Sequence, residues 1–428
     1  MTARVLIALM QAFQVDAASF DVGDDERLLT DLREASVDAG ALAPAATLAE
    51  LKQVVQLAPG LAAQFLALHR SYRHLDERVK ILDEAVSLDE RAAASALLPY
   101  EEVRDYFHYR DNYVASLDEA AEALAVDWTV GYGRSMERFL AAQLLRRWRV
   151  RVSRQSLTGG AVLRRFDPST RVLDIEPTLT SATRTFQLAY QLALLEFGDL
   201  IEAELNGAAF KSEAARDVCR VGLVNYAAGA LLLPYGRFRD AARAHRHDIE
   251  ELQAVFQVSF EQVCHRLSTL QRPGARGIPF YFVRVDQAGN ITKRHSATRF
   301  QFARFGGACP LWNVHEAFGE PGRILVQIAE MPDERRYLCV ARSIIKRSGS
   351  HARPHRRYAL GLGCEVEHAD ALVYADNLNL SGDAARIGVS CRICPREDCV
   401  QRAFPPVDRL LRVPTDSRAI VPYETSRP

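Results

Sequence analysis

The sequence predicts an α+β protein, mostly helical over its amino-terminal two thirds and mixed α/β over the last third. Two observations carry this. From Asp24 to about Asp127, and again up to Leu270, apolar residues recur every three or four positions, the period of a helix face. From Gln271 on they gather in short runs rich in β-branched and aromatic residues, bounded by turn residues, as strands do. A third observation marks the end of the chain: Cys391, Cys394 and Cys399 stand in a C-x2-C-x4-C spacing. At 428 residues there is length for two to four domains. The boundaries fall at 1–22, 23–128, 129–271 and 272–428.

Residues 1–14 read as a short amphipathic helix, with Val5, Leu6, Leu9 and Phe13 on one face. Helical periodicity resumes at Leu28-Leu29, Leu48 and Leu51, then Phe65-Leu66 and Leu117. Tyr106, Tyr109 and Tyr113 recur in the same way, which reads as a helix–helix seam. Ser135 is the expected N-cap of a helix from Met136 to Trp148. A hairpin follows, Ala161–Phe166 and Arg171–Ile175, across the turn Asp167-Pro168-Ser169-Thr170. Two long apolar helices come next, one over Thr185–Phe197 and one from Ser212 to Leu233, stopped by Pro234. Ser259 with Gln262 forms a capping box for a helix ending near Leu270. In the last third, strands are expected over Pro279–Val285, Ile324–Ala329, Tyr337–Ile345 and Tyr358–Val366, with a turn over Asp286–Asn290.

Composition excludes several classes. Lys and Arg together number 54, as do Asp and Glu, so the formal net charge is zero. A general electrostatic pull towards nucleic acid or an anionic membrane is therefore absent, and any such contact needs a local patch. The strongest basic run, Arg342–Arg357, reads as a solvated loop between strands or as a phosphate contact. No apolar run has the length of a bilayer span. The start lacks the basic-then-apolar layout of a signal peptide. Eight cysteines in one cluster plus singletons do not make a secreted disulfide framework. The expectation is a cytoplasmic protein.

The cysteine triplet sits among Arg392, Arg396 and Arg402. Thiols that close, beside that much charge, suit an inorganic centre better than a packed core. A fourth ligand must come from elsewhere, and Cys309 after Gly306-Gly307 is the best candidate. Structural zinc sites pair two short knuckles, whereas a three-plus-one set with a Cys-Pro fits a 4Fe–4S cubane better. The nearby arginines would offset the negative charge of a thiolate-bound cluster. Cys219, Cys264, Cys339 and Cys364 read as buried thiols, with Cys364 a reserve ligand.

The hairpin and the two apolar helices resemble the zinc-metallopeptidase-like domain of the antitoxin-protease and radiation-response regulator family. In that frame Tyr190 and Leu194 take the two histidine positions, Gln191 the general-base glutamate, and Leu223 the acidic ligand. Leucine cannot bind zinc and a neutral amide is a poor base, so the resemblance implies a degenerate zincin-like domain and no enzyme. Beyond this, the chain from about residue 3 onward is similar to the actinobacterial short-chain fatty acyl regulators of the propionate (methylcitrate) and acetate (glyoxylate) pathways. The stretches that carry the resemblance are His265–Pro273, Phe282–Asn290, Gly306–Val314, and Cys391–Cys399 with Gln401–Pro405.

The resemblance implies an acyl-CoA-sensing transcription factor, likened to homodimeric readers of paired half-sites, with a 4Fe–4S cluster in its carboxy-terminal domain. Members begin with a helix-turn-helix of about five helices. This sequence is expected to start inside the last of them, near Val5–Leu9, and so to reach promoter DNA only through a missing amino-terminal domain. For CoA or acyl-CoA the expected contacts are Tyr190 in the disused metal site and the phosphate-binding cations Arg110 and Arg138, then Lys293 and Arg294. Two further readings stand beside this one: a redox or iron sensor in which the cluster is the signal, and, more weakly, a metallopeptidase.

Overall fold

The computed structural model describes residues 28–29, 31–33, 35–36, 46–69, 72, 97–126, 128, 135–157, 162–302, 308–346, 351, 354–406 and 409–426. The expected amino-terminal helix over 1–14, Gly306-Gly307 and part of the basic run lie outside these residues. The chain divides into two compact units. One comprises Met1–Ser95, Gln301–Phe305 and Gly388–Pro428, and the other Ala96–Phe300 and Gly306–Ile387.

In the first unit, helix α1 spans Leu48–Leu57. The Thr47 hydroxyl accepts from the Glu50 amide and the Glu50 carboxylate accepts from the Thr47 amide, closing a capping box that satisfies two orphan donors. Leu51 and Val55 on its inner face pack with Leu32, Ala35, Ala62 and Leu66. Near the end of the chain, Leu410–Arg412 pairs antiparallel with Glu424–Ser426.

The second unit opens with helices α2 (Leu97–His108), α3 (Ala115–Ala125) and α4 (Met136–Trp148). Ser135 stands at the N-cap of α4 but its side chain makes no capping bond. A small sheet follows: β1 (Arg151–Arg154), β2 (Arg164–Asp167) and β3 (Val172–Ile175), ordered β1-β3-β2. β2 and β3 form the expected hairpin, whose turn is held by the Asp167 carboxylate accepting from Ser169 and Thr170. β1 joins β3 in parallel.

Six helices complete the helical part: α5 (Ser181–Glu196), α6 (Gly198–Asn206), α7 (Glu213–Leu232), α8 (Tyr235–Ala244), α9 (Ile249–Phe256) and α10 (Phe260–Leu267). α7 is the hub. Ser212 caps it, and Leu223, Val224, Ala227, Ala228 and Leu231 are buried along it. It packs against α2, α3, α5, α6 and α10. A side chain at Gly222 would meet the Phe107 ring at 2.9 Å, so glycine there sets the approach of α2. At Leu233-Pro234 the chain bends by 62° into α8. The Leu233 carbonyl at the break accepts from Arg266 Nε at 2.8 Å. Ser259 and Gln262 form the expected capping box of α10, which ends at Leu267 rather than Leu270.

The rest of the unit is a six-stranded sheet ordered β5-β4-β8-β7-β6-β9, antiparallel except for β6 with β9. Its strands are β4 (Tyr281–Asp286), β5 (Ile291–Ser296), β6 (Leu325–Glu330), β7 (Arg336–Lys346), β8 (Arg356–Glu365) and β9 (Ala385–Arg386), with the short helix α11 (Asn313–Glu316) between β5 and β6. The architecture is α+β, as expected.

One expectation is corrected. The tyrosine stripe is not one helical seam, because α2 stops at His108 and Asp111 and Asn112 turn left-handed, with φ of 48° and 58°. Tyr106 is buried, its hydroxyl donating to Glu204, while Tyr109 lies exposed and Tyr113 leaves the helix altogether. Among the described residues no single helix is long and apolar enough to cross a membrane.

Candidate functional site

The degenerate zinc motif is on α5 and α7. Leu223 and Gln191 are fully buried, whereas Tyr190 keeps some access to solvent. In the register of β2 on β3, Arg164 pairs with Ile175 and Phe166 with Leu173. Cross-strand partners share a face, so the core position of Ile175 and Leu173 sends Arg164 inward, towards α5. There its guanidinium lies over the Tyr190 ring, 4.2 Å from the centroid, and donates to Gln191 Oε1. Burial pushes the Tyr190 hydroxyl pKa up, and the charge on Arg164 opposes that shift. Gln191 Nε2 has no acceptor among the described residues. The two groups that would be metal ligand and base in a peptidase are thus held by an arginine. Sequence reasoning missed Arg164. The available signal was its inward parity with Phe166 on a strand that faces the motif helix.

The cationic candidates fall into separate contact sets. Arg110 is exposed just beyond α2, its guanidinium over the Tyr106 ring at 3.9 Å. The left-handed turn after it packs on β5: Asn112 Oδ1 is 3.0 Å from His295 Nδ1, and Arg104 donates to the Ile291 carbonyl. The structure therefore sets the Arg110 turn beside the strand that carries Lys293 and Arg294. Arg138 is exposed in the first turn of α4, a helix that packs on α5.

Lys293 belongs to a charged cluster. Glu261 accepts from Arg284 and from Lys346, each at 2.7 Å. Burial works against the Glu261 carboxylate, but Lys346, Lys293 and Arg284 outweigh it and hold its pKa down to about 2. Burial pulls Lys293 down to about 8, against the attraction of Glu261. His265 and His295, with ring centroids 4.6 Å apart, are kept neutral by burial and by the charge on Lys293.

No disulfide joins any of the eight cysteines. Cys219, Cys264, Cys339 and Cys364 are buried, and desolvation raises each of their pKa values, which makes them inert. Cys391, Cys394 and Cys399 share one loop in the first unit. Arg402 binds this loop from within, donating to the Cys391 carbonyl at 3.2 Å and to those of Cys394 and Arg396. Arg409 donates to the Pro395 carbonyl and the Glu397 carboxylate. A side chain at Gly388 would lie 2.8 Å from Cys394 Sγ, so glycine keeps space open at that sulfur. The donor chemistry fits an iron–sulfur centre. Among the described residues, however, no three Cys, His or acidic side chains converge as a metal-binding group. Cys309 is buried in the other unit, so its role as fourth ligand rests on the sequence alone.

Comparisons with known proteins match two consecutive stretches of the chain. Residues 146–268 match the IrrE N-terminal-like domain of the M78 peptidase family, and residues 269–423 match the carboxy-terminal domain of the short-chain fatty acyl coenzyme A regulators. The chain is 50% identical to the propionyl-CoA carboxylase regulator of Cereibacter sphaeroides, over 99% of this chain and 89% of that protein. It is 45% identical to the HTH-type transcriptional regulator RamB of Mycobacterium tuberculosis, over 99% of this chain and 90% of that one. It is 40% identical to the regulator PrpR of the same organism, over 99% and 87% respectively. A solved Mycobacterium tuberculosis transcriptional regulator aligns with a TM-score of 0.73 at 45% identity, covering 76% of this chain and 99% of that chain. With two family domains in series and such identity over nearly all its length, the chain belongs to the short-chain fatty acyl coenzyme A regulators.

Proposed function

We propose that this protein is a transcriptional regulator of propionate or acetate metabolism that senses acyl-CoA in its disused peptidase groove and acts on promoter DNA as a homodimer. The observation that carries the reading is the replacement of the zinc motif. Tyr190, Gln191, Leu194 and Leu223 leave no metal ligand set, yet the hairpin and both helices of the peptidase-like frame persist. A groove kept without its metal suits a ligand-binding role, and the relatives' names supply the ligand class. The phosphates of CoA call for several cations, and Arg110, Arg138, Lys293 and Arg294 are the candidates. Titration calorimetry with propionyl-CoA tests this. Tyr190→Phe and Arg138→Ala should each weaken binding, and unchanged affinity in both variants removes the pocket assigned here.

The cysteine loop is proposed to hold a 4Fe–4S cluster through Cys391, Cys394 and Cys399, with Cys309 as the candidate fourth thiolate. The cluster would supply redox-active iron, while Arg402 braces the loop and Gly388 leaves room at Cys394. Protein purified without oxygen should contain about four irons with acid-labile sulfide and absorb near roughly 400 nm. Cys394→Ser should abolish the colour, and Gly388→Ala should lower the iron content. One zinc and no colour would mean a structural ribbon instead.

A further inference from the structure

Among the described residues of its unit, Arg164 stands apart from most inward-facing arginines, Arg336 on the Gly382 carbonyl being another without a carboxylate. Arg266 is paired with Asp118 at 2.6 Å, Arg184 with Glu137 at 3.1 Å, Arg272 with Glu122 at 2.7 Å and Arg284 with Glu261 at 2.7 Å. Arg164 has no carboxylate partner among the described residues. Its neighbours are a phenol ring and an amide oxygen. A ring face attracts a cation but does not neutralise it. Burial accordingly lowers the Arg164 pKa, with Tyr190 opposing the shift.

The amide beside it has a matching deficit. Gln191 Oε1 accepts from Arg164, so Nε2 must be the free end, since the opposite orientation would set two donors against each other. That Nε2 is buried without an acceptor. The remaining guanidinium N–H groups and the Gln191 amide are donors in one place, and the Tyr190 hydroxyl can act as a third. What the site lacks is an acceptor carrying negative charge. A planar guanidinium meets a carboxylate through two parallel hydrogen bonds, and the amide can add another to the same group.

We infer that Arg164, Gln191 and Tyr190 form a carboxylate-recognition subsite, and that the preferred ligand is a CoA ester of a dicarboxylic acid, bound with its free carboxylate at Arg164. This rests on the acyl-CoA reading above, and adds to it which end of the ligand reaches α5 and what that end must carry. An alkyl chain in the same place would leave buried donors unpaired, which costs about 10- to 100-fold in affinity against a ligand that satisfies them.

The test is calorimetry on the whole chain with CoA alone and with matched pairs that differ by one carboxylate: propionyl-CoA against methylmalonyl-CoA, and acetyl-CoA against malonyl-CoA. The carboxylated member of each pair should bind about 10- to 100-fold tighter. Arg164→Met should bring methylmalonyl-CoA to the level of propionyl-CoA, and Gln191→Leu should remove part of the margin. Far-UV circular dichroism establishes that each variant is folded, and the Gln191 variant keeps the test intact if the Arg164 variant is not. Equal affinity within the pairs on the unaltered protein, or a margin that survives in a folded variant of Arg164, overturns the inference while leaving the acyl-CoA reading standing. Failure of CoA and all four esters to bind overturns both.

Discussion

Two arginines of the same unit differ in one respect. Arg266 is buried between α3, α7 and α10. It faces the Asp118 carboxylate, the Leu233 carbonyl and the Thr269 hydroxyl, with Tyr226 donating to the same carboxylate at 2.6 Å. Arg164 lies against the motif helix with a ring and an amide for company. The first charge is complete within the fold, and the second is left for something else to complete. Interior charges require pairing and full hydrogen bonding to be tolerated. A closed network therefore marks structure, and an open one marks a place for a ligand.

The largest effect should come from opening the closed network. Asp118→Ala leaves Arg266 and Arg272 without their shared carboxylate and should cost about 3–5 kcal/mol in urea unfolding at neutral pH. A loss below about 1 kcal/mol would break the comparison, because an exposed pair costs that little. Arg164→Met should change ligand-free stability by less than about 1 kcal/mol, or raise it, since no partner charge is stranded. A loss as large as that of Asp118→Ala would make Arg164 a structural residue.

A pH series sharpens the contrast with an intermediate case, Lys293. Its folded pKa of about 8 lies below the ordinary 10.5. Between those values the unfolded chain holds the extra proton, so stability should rise as pH increases from about 8 to 10.5. Lys293→Met should flatten that rise, and an unchanged slope would refute the assignment. The smallest effect is expected from Tyr190→Phe, which keeps the ring under Arg164. Ligand-free stability should move by no more than about 0.5 kcal/mol, so a larger loss would mean that the hydroxyl, not the ring, holds the guanidinium.

Features that depend on neighbours in sequence were legible before the structure. The capping box at Ser259 and Gln262, the helix Met136–Trp148 and the hairpin of β2 and β3 all came from local spacing and turn chemistry. Features set by distant partners were not. β1 is four residues long and its partner strand begins at Val172, far along the chain, so nothing local marked it. α8 carries the inward triplet Tyr235, Phe238 and Ala242, but the interspersed Arg237 and Arg239, with Arg243 just after, masked the pattern. The tyrosine stripe failed because left-handed Asp111 and Asn112 interrupt a period that composition alone would have continued. Of the candidate site, Tyr190 and Gln191 were legible through their motif positions. Arg164 was not, because an arginine in an alternating strand reads as solvent-facing until the register is known.

The bend at Pro234 has a consequence of its own. The residue before a proline is pushed out of helical geometry, and Leu233 at φ −130° and ψ 68° sets its carbonyl outside both helices, where Arg266 binds it. The kink is therefore bolted by an ion rather than by a turn sequence. Straightening it would not only lengthen a helix but also strip a buried cation of one of its supports. The angle between α7 and α8 is thus tied to the electrostatic balance at Asp118, and local elasticity there is low: the joint either holds its angle or comes apart with the network.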